Sequence, residues 1–282
     1  MSLLFNRIAP KFVNLASNGV AKRHLGSHHN FHFKNDFEFT AARWLMAYPK
    51  GPYKFTNREY LIISYRTDEE RLKKILPPGV ELLEPVVKFE FIRMPDSTGF
   101  GDYTESGQVI PVKFNGEEGT LTISMFLDCY APIAGGREIW GFPKKLAQPK
   151  LFVEEDVLIG FLNYGSIRIA TATMGYKQYD LDKHAVAKSL KKPVFLLKNV
   201  PGVDGKPAVN QLTKIYLQDI HVKGAWTGLA SLELHPHALA PIASFPVHEI
   251  VDVSHFVCDL TLPYGEVAHD YLKDGIPKHH KE

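Results

Sequence analysis

The sequence predicts a mostly β protein, a barrel or a sandwich, with only a few helices. Short runs rich in β-branched and aromatic residues recur from about Pro49 onward, and Gly, Pro, Asn or Asp residues separate them. Strands that follow one another without alternating helices are typical of all-β domains. With 45% hydrophobic and 12% aromatic residues, the 282-residue chain can bury a substantial core.

The predicted strands share a high content of Val, Ile, Thr, Tyr and Phe. In chain order they are EYLIISYRT, PVVKFEFIRM, TLTISMFLDC, SIRIATATM, KIYLQDIHV, ASLELH and HFVCDLTL. Alternation along the second strand predicts an apolar face and a mixed face. The apolar face holds Val87, Phe89 and Phe91, and the mixed face holds Val86, Lys88, Glu90 and Ile92.

Three segments have the pattern of helices. In TDEERLKKILPP, Thr67 and Glu70 have the spacing of a capping box, and the proline pair at 77 and 78 ends the helix. The other two predicted helices span residues 182–191 and 266–273. The sequence contains no internal repeat and no long linker, so residues 49–282 are predicted to form one domain.

Residues 1–48 are predicted to be an N-terminal extension. The first 35 residues contain several Arg and Lys residues, and no acidic residue precedes Asp36. Such a segment has some features of an organelle transit peptide. The favoured interpretation is instead an extension of a bacterial protein that docks elsewhere or stays mobile, which predicts a cytoplasmic location with organelle import as the alternative.

Charge and hydropathy narrow the classes of partner. The net charge of +2 and the lack of a basic stripe argue against nucleic-acid binding. No apolar run approaches the roughly 18 residues that a membrane span needs, so no membrane association is expected. Cys129 and Cys258 lie in strand-like runs without metal-ligand spacing and are predicted to be buried thiols. The expected partner is therefore a small molecule.

Motifs for metals, dinucleotides and serine nucleophiles are weak or missing. The thirteen histidines include no pair with a convincing ligand partner at metal spacing. GFGDYT begins like a phosphate-binding loop, but Thr104 takes the place of the third glycine, and no long helix follows. No G-x-S-x-G segment occurs. We therefore expect neither a metal site nor a bound cofactor.

The segment GREIWGFPKKLAQPKL places two adjacent lysines, Lys144 and Lys145, in an apolar and proline-rich stretch. Pro143 biases the preceding residue towards an extended backbone and removes a donor, and Pro149 stiffens the chain beyond. Two interpretations remain open. The segment is a kinked surface loop with solvated ammonium groups, or it keeps one amine away from water so that its neutral form can act as a nucleophile. Composition alone favours the loop.

Three further polar residues have equally ordinary interpretations. Glu90 would face solvent or pair with Lys88 on an outer face of its strand. Glu105, in GDYTESGQ, would be a polar residue of a turn bounded by glycines. Arg58, at the start of an apolar strand, would form a surface ion pair, with Glu59 or Asp68 as its partner.

Several segments together resemble the acetoacetate decarboxylase family. They are GPYKFTNREY, LEPVVKFEFIRM, GDYTESGQVIPVKFNG, GREIWGFPKKLAQPKLF, YGSIRIATATMGYK and AWTGLASLELHPHALAPI, in the order and at the separations found in the family. The resemblance covers roughly residues 49–272. A single PKK would be weak, whereas this many ordered segments make the similarity specific. The N-terminal 48 residues have no counterpart in the familiar bacterial enzyme.

The resemblance implies roles for five residues. Lys144 corresponds to the lysine that forms the Schiff base, and Lys145 to the neighbouring cation that favours its neutral form. Arg58 corresponds to the active-site arginine of the family, and Glu90 and Glu105 to its two active-site glutamates. All five positions carry the residue type of the family.

The resemblance also implies a fold and an activity. The expected fold is a cone-shaped, mostly antiparallel β-barrel with a few peripheral helices. The expected reaction is decarboxylation of acetoacetate, a β-keto acid, to acetone and carbon dioxide through a lysine Schiff base, without a cofactor. The chain is expected to form a homo-oligomer, which is a dodecamer in the best-known case.

Two alternative functions remain. A relative with the same fold would use the same imine for an aldol-type condensation or a dehydration of a larger keto acid. A non-catalytic barrel would bind a small hydrophobic acid and would not need a neutral lysine.

Overall fold

The computed structural model describes residue 40 and residues 46–277. The predicted N-terminal extension, residues 1–48, lies outside the described residues except for Thr40 and its last three positions, so that prediction stays a prediction. From Met46 onward the chain forms one compact unit. Within the described part of the chain, no helix is both long and apolar enough to cross a membrane.

Seventeen strands make up most of the described residues. They are β1 (Tyr53–Arg66), β2 (Glu81–Leu82), β3 (Val86–Met94), β4 (Asp96–Ser97), β5 (Tyr103–Phe114), β6 (Glu117–Leu127), β7 (Lys144–Leu146), β8 (Gln148–Glu154), β9 (Val157–Tyr164), β10 (Ile167–Gly175), β11 (Tyr179–Asp180), β12 (Val194–Pro201), β13 (Pro207–Ile215), β14 (Gln218–Thr227), β15 (Ala230–Leu234), β16 (Glu249–Leu262) and β17 (Glu266–Asp270).

The helices of this region are few and short. They are α1 (Glu69–Lys73), α2 (Tyr130–Gly135), a π-helix (Gly136–Trp140) that continues α2, α3 (Lys183–Leu190) and a 3₁₀ turn (Ile242–Ser244). The mostly β fold class is therefore confirmed. Neither α2 nor the π-helix was predicted, because their sequence YAPIAGGREIW contains two glycines and a proline, which are poor helix formers.

The strands form two sheets. The larger sheet has thirteen strands, with the order β11-β14-β16-β1-β3-β5-β6-β12-β13-β17, and β2, β4 and β7 pair with β5, β1 and β6 at its sides. The smaller sheet has the order β15-β10-β9-β8. The pairings are antiparallel except that β6 pairs in parallel with both β7 and β12. The hydrogen-bonded path ends at β11 and β17, so closure into a cone-shaped barrel stays a prediction.

The predicted alternation along β3 is confirmed. Val87, Phe89 and Phe91 lie in the hydrophobic core with almost no exposed surface. Phe91 packs on the backbone of β9 at Gly160, where an added Cβ would stand 2.6 Å from the phenyl ring. This glycine therefore lets the smaller sheet approach the larger one. The other face of β3 takes no part in this packing.

The predicted helix over residues 266–273 is wrong. Glu266–Asp270 is strand β17, which pairs antiparallel with β13, so that Lys214 lies opposite Glu266 and Gln211 opposite Asp270. The strand satisfies backbone groups that an unpaired β13 edge would leave open. Because this partner lies some fifty residues earlier in the chain, the local sequence carries no sign of the pairing.

The predicted capping box at Thr67 is also wrong. The residue that caps α1 is Asp68, and its side chain makes no capping hydrogen bond. Thr67 is buried, and its N–H donates to the Pro85 carbonyl at 3.0 Å, which ties it to the chain leading into β3. The helix ends at Lys73, before the proline pair. The helix predicted over residues 182–191 is confirmed, with Asp182 accepting a hydrogen bond from the His184 N–H at 2.8 Å.

Two further predictions need correction. The run KIYLQDIHV is not one strand, because β13 ends at Ile215 and β14 begins at Gln218 beside different partners. Of the two cysteines, Cys258 is buried as predicted, whereas Cys129 is partly exposed.

The predicted turn around Glu105 is wrong as well. Glu105 lies inside the long strand β5, where it pairs with Ile92 and Leu127. The glycine that suggested a turn, Gly107, serves a close approach of two strands, since a Cβ there would stand 2.4 Å from the Ser124 carbonyl oxygen. Glycine thus marks crowding at this position rather than a change of direction.

Candidate active site

A cavity of about 440 Å³ lies against the mixed face of β3. Its walls come from the larger sheet, from the segment before β7 and from helix α3. Most of the lining is apolar. The polar and charged lining residues on β1, β3, β5 and β7 are Arg58, Tyr60, Lys88, Glu90, Tyr103, Glu105 and Lys144, and further charged lining residues elsewhere are Asp182, Lys192 and Asp252.

The closest polar contact in the cavity joins Lys144 and Glu105. The Lys144 Nζ atom donates a hydrogen bond to Glu105 Oε1 at 2.5 Å. The two side chains are only 8% and 4% exposed. Taking both charges out of water costs several kcal/mol per ion, so such a pair is weak evidence for a stabilising role. Its position in a cavity points to chemistry instead.

Strand register brings the two residues together. In β5 and β6, Glu105 lies opposite Leu127, and in β6 and β7, Met125 lies opposite Lys144. Lys144 is therefore offset from Glu105 by two residues along the shared strand β6, roughly 7 Å. An extended lysine side chain can span that offset and place its amine against the carboxylate.

The path of the Lys144 side chain depends on Gly136, the first residue of the π-helix. An added Cβ at Gly136 would lie 2.6 Å from Lys144 Cδ and 2.8 Å from Cε. The Gly136 carbonyl also accepts hydrogen bonds from the N–H groups of Gly141 and Phe142, both at 3.0 Å. The same residue thus closes the turn before β7 and leaves room for the lysine tail.

Arg58 stands at an irregularity of β1. Its predecessor Asn57 has φ 55°, and the register with β16 shifts between Phe55 and Arg58. The guanidinium carbon lies 4.9 Å from the ring centroids of Phe55 and Tyr60, which is cation–π distance. The Nε atom is buried and has no hydrogen-bond partner in the described part of the chain. The ion pair predicted with Glu59 or Asp68 is absent among the described residues, so Arg58 offers unused donors to the cavity.

Glu90 faces the cavity from the middle of β3. Burial raises the pKa of its carboxyl group to about 7, and the negative charge of Glu105 adds to the shift, whereas Lys88 and Arg58 oppose it. At neutral pH a substantial share of Glu90 therefore carries a proton. The predicted solvent-facing position is wrong.

Lys145 lies on the other side of β7. Its side chain is exposed, its Nζ donates to the Leu239 carbonyl at 2.6 Å, and the atom lies 5.6 Å from the centroid of the Tyr164 ring. This is the expected result of strand alternation, which turns neighbouring side chains to opposite faces. Of the five predicted site residues, four line the cavity and Lys145 does not.

Sequence reasoning missed two tyrosines of the cavity, Tyr60 and Tyr103, both of which are buried. Burial, followed by the negative charge of Glu105, raises the pKa of Tyr103 well above its usual value. Its hydroxyl is therefore a proton-bearing group beside Glu105 at all ordinary pH values. Tyr103 stands two residues before Glu105, and the period of two in YTE would have revealed it had the segment been interpreted as a strand.

No cluster of three or more His, Cys, Asp or Glu residues with the geometry of a metal site occurs among the described residues.

Comparison with known proteins gives consistent results. The sequence model of the family described as "Acetoacetate decarboxylase (ADC)" matches residues 39–272. The acetoacetate decarboxylase of Acidiphilium cryptum (strain JF-5) is 61% identical over 225 residues, which are 80% of this chain and 92% of that protein. The crystal structure of acetoacetate decarboxylase from Legionella pneumophila has 72% identity and a TM-score of 0.83, covering 84% of this chain and 95% of its own.

A more distant structure shares only the fold. The enduracididine biosynthesis enzyme MppR, complexed with the condensation product of pyruvate and imidazole 4-carboxaldehyde, is 16% identical with a TM-score of 0.71. The match covers 81% of this chain and 95% of that one.

The raised pKa of Glu90 predicts a pH-dependent cost in stability. An unfolded glutamate ionises near pH 4.5, whereas folded Glu90 ionises near 7. The folded state therefore binds more protons in this window, and the free energy of unfolding falls as pH rises through it. We expect Glu90→Gln to remove this slope. At pH 8 its free energy of unfolding should be higher than that of the wild type by up to about 3 kcal/mol.

Urea unfolding of both proteins at pH 5 and pH 8 measures the effect. Glu154→Gln is the matched control, because Glu154 is exposed. Equal slopes for wild type and Glu90→Gln would show that Glu90 ionises normally in the folded protein.

Proposed function

The chain belongs to the acetoacetate decarboxylase family, and on this premise we propose that it converts acetoacetate into acetone and carbon dioxide through a Schiff base on Lys144. One observation carries the proposal. A lysine amine stands in a cavity, shielded from water, with a carboxylate at 2.5 Å that can accept its proton.

The chemistry requires an amine because a β-keto acid loses carbon dioxide slowly on its own, since the electron pair left behind must move onto a ketone oxygen. The neutral Lys144 amine attacks the ketone carbon, and loss of water gives a protonated imine. The bond to the carboxylate carbon then breaks, carbon dioxide leaves, and the electron pair moves into the imine to give an enamine. Protonation at carbon and hydrolysis release acetone and regenerate the lysine.

Glu105 is proposed to take the proton from Lys144 and to return protons in later steps. The short hydrogen bond between their side chains supports this role. Carbinolamine formation and dehydration both need a group that accepts and donates a proton within hydrogen-bond reach. Tyr103, whose hydroxyl lies in the same cavity, is available to orient Glu105 or the substrate.

Arg58 is proposed to orient the carboxylate of the substrate. Its buried Nε has no partner within the described residues, and a guanidinium matches a carboxylate with two parallel hydrogen bonds. Glu90 is proposed to set the charge around Lys144. Because its pKa is about 7, its carboxyl group is fully charged in only part of the molecules, which weakens its repulsion of the incoming acid.

Lys145 is proposed to act on Lys144 only as a charge across the strand. Adjacency in sequence supports an effect, because a nearby positive charge favours the neutral form of an amine. The solvent exposure of Lys145 limits its size.

Assembly and location are proposed on family resemblance. We infer a homo-oligomer in the cytoplasm, with a small β-keto acid as substrate. Large apolar side chains that stand exposed on a single chain, among them Leu229 and Tyr130, support burial against further copies.

Condensation or dehydration of a larger keto acid is the second candidate from the same fold. The decarboxylase is better supported, because relatives at 61% and 72% identity carry that name, whereas the condensing neighbour is 16% identical. Release of acetone from acetoacetate separates the two reactions.

Trapping the imine tests the proposal directly. The protein is incubated with acetoacetate and borohydride, its intact mass is measured, and the modified peptide is mapped. We expect one reduced adduct on Lys144, because a proton-accepting carboxylate accompanies this lysine in the cavity. Lys144→Met is the control and should stay folded without an adduct. No adduct on the folded wild type, or an adduct on another lysine alone, would refute the proposed nucleophile.

Gly136→Ala is expected to abolish most activity without removing any functional group. The new Cβ would displace the Lys144 tail by roughly an ångström and break its contact with Glu105. A misplacement of that size costs about 100-fold in rate.

The rate of acetone release measures this effect, and circular dichroism checks the fold. Gly202→Ala is the control, because its nearest contact is the flexible side chain of Asp204. An unchanged rate for Gly136→Ala would mean that the lysine reaches its reactive position by another path.

Lys145→Gln tests the charge effect across the strand. Removing the cation should disfavour the neutral amine of Lys144, so the rising limb of the pH–rate profile should move to higher pH. Lys150→Gln, an exposed lysine of β8, is the matched control. A profile for Lys145→Gln that superimposes on that of the wild type would remove Lys145 from this role.

A further inference from the structure

A second cavity lies on the side of β7 to which Lys145 points. Its volume is about 610 Å³. The parallel pair of β6 and β7 forms a shared wall, so that Lys144 and Met125 face the first cavity, and Lys145 and Phe126 face the second. The segment that follows β15, the residues after α1, and the π-helix with the turn after it also contribute to its lining. The proposed reaction places no substrate in this space.

The charges that line the second cavity are all of one sign. Its charged lining residues are Arg137 and Lys145, and no Asp or Glu lines it. Neither cation forms an ion pair with any residue in the described part of the chain. The neighbouring Glu138 is engaged elsewhere, since its carboxylate accepts a hydrogen bond from the Tyr48 hydroxyl at 2.5 Å. Two positive charges therefore share one cavity without a counter-charge from those residues.

Most of the donors of these two cations are unused. Within the described residues, Arg137 makes one hydrogen bond, from Nη1 to the Lys144 carbonyl at 3.3 Å, and Lys145 makes one, from Nζ to the Leu239 carbonyl at 2.6 Å. A guanidinium has five N–H donors and an ammonium has three. Both bonds go to backbone carbonyls, and both side chains are exposed, so their other donors are available to an acceptor.

The rest of the lining is mainly apolar, and its buried amide group already has hydrogen-bond partners. Its apolar lining includes Leu121, Ile123, Phe126, Leu197, Ile242 and Phe245. The buried amide of Gln108 donates to the Tyr65 hydroxyl and to the Ile242 carbonyl, both at 3.0 Å, and accepts from Ser124 at 3.1 Å. A ligand therefore finds few open polar groups away from the two cations.

We propose that this second cavity binds a small organic acid, with its carboxylate held by Arg137 and Lys145 and its apolar body against the wall formed by Phe126, Ile242 and Phe245. An inorganic anion would pair with the two cations but would leave the apolar wall in contact with water. A neutral apolar molecule would leave the cations without a counter-charge. The site goes beyond the proposed function, because Arg137 has no role in the reaction at Lys144.

The probe for the test is hexanoate, and its binding to the full-length protein is followed by titration calorimetry. We expect saturable binding that weakens at least about tenfold in Arg137→Gln, because a charge-assisted pair of hydrogen bonds is lost. Lys145→Gln should weaken binding as well. Hexanol, which lacks the carboxylate, should bind at least about tenfold more weakly. Arg93→Gln, which removes an exposed arginine of β3 outside the cavity, should bind hexanoate like the wild type.

Two further measurements keep this site separate from the first cavity. Lys144→Met should still bind hexanoate, since that lysine does not line the second cavity. In crystals soaked with 6-bromohexanoate, the anomalous signal of bromine should lie in the second cavity, with the carboxylate between Arg137 and Lys145. Neither measurement depends on turnover. Both would therefore test binding in the second cavity even if the protein failed to decarboxylate acetoacetate.

Three results would overturn the proposal. One is unchanged hexanoate affinity in both Arg137→Gln and Lys145→Gln. Another is bromine in the first cavity alone. The third is an acidic side chain from a second copy of the chain that fills the cavity in the crystal, accompanied by a dimer in solution that Arg137→Gln dissociates.

Discussion

The parallel pairing of β7 with β6 is the constraint on which the rest of the site depends. Three residues of β7 lie beside Met125, Phe126 and Leu127, and this register decides which of two adjacent lysines faces inward. Without the pairing, a proline-rich segment would have no reason to bury an amine. The π-helix and the turn at Gly141, whose φ is 95°, deliver the chain to the sheet at the required residue. The irregular backbone of residues 136–141 thus sets the register in which β7 pairs with β6.

Charged groups of both signs line the first cavity, and their placement suits its proposed substrate. The basic side chains are Arg58, Lys88, Lys144 and Lys192, and the acidic ones are Glu90, Glu105, Asp182 and Asp252. Glu90 carries a full negative charge only in the fraction of molecules that have lost its proton, because its pKa is about 7. Arg58 can therefore receive a carboxylate with less repulsion from Glu90, whereas the apolar walls disfavour that carboxylate once it is bound, which favours loss of carbon dioxide.

Local periodicity made part of this architecture predictable. The two faces of β3 followed from the alternation of Val86–Met94, and helix α3 lies within the range predicted for it, residues 182–191. Strand β17 did not, because its partner β13 is remote in sequence. The turn predicted around Glu105 was wrong, because Gly107 allows two strands to approach closely and does not mark a turn. For the lysine pair, composition favoured a surface loop, and only family resemblance singled out Lys144; the direction in which each lysine points is a property of the β6 register, which no local pattern encodes.

A wall one strand thick has a consequence for how this protein can change over evolutionary time. Met125 and Phe126 are adjacent in sequence but line different cavities, and so are Lys144 and Lys145. Substitutions at Phe126 or Lys145 can reshape one chamber while Met125 and Lys144 preserve the other. Thr122, which lines both spaces beside the register shift of β6, is where that independence fails.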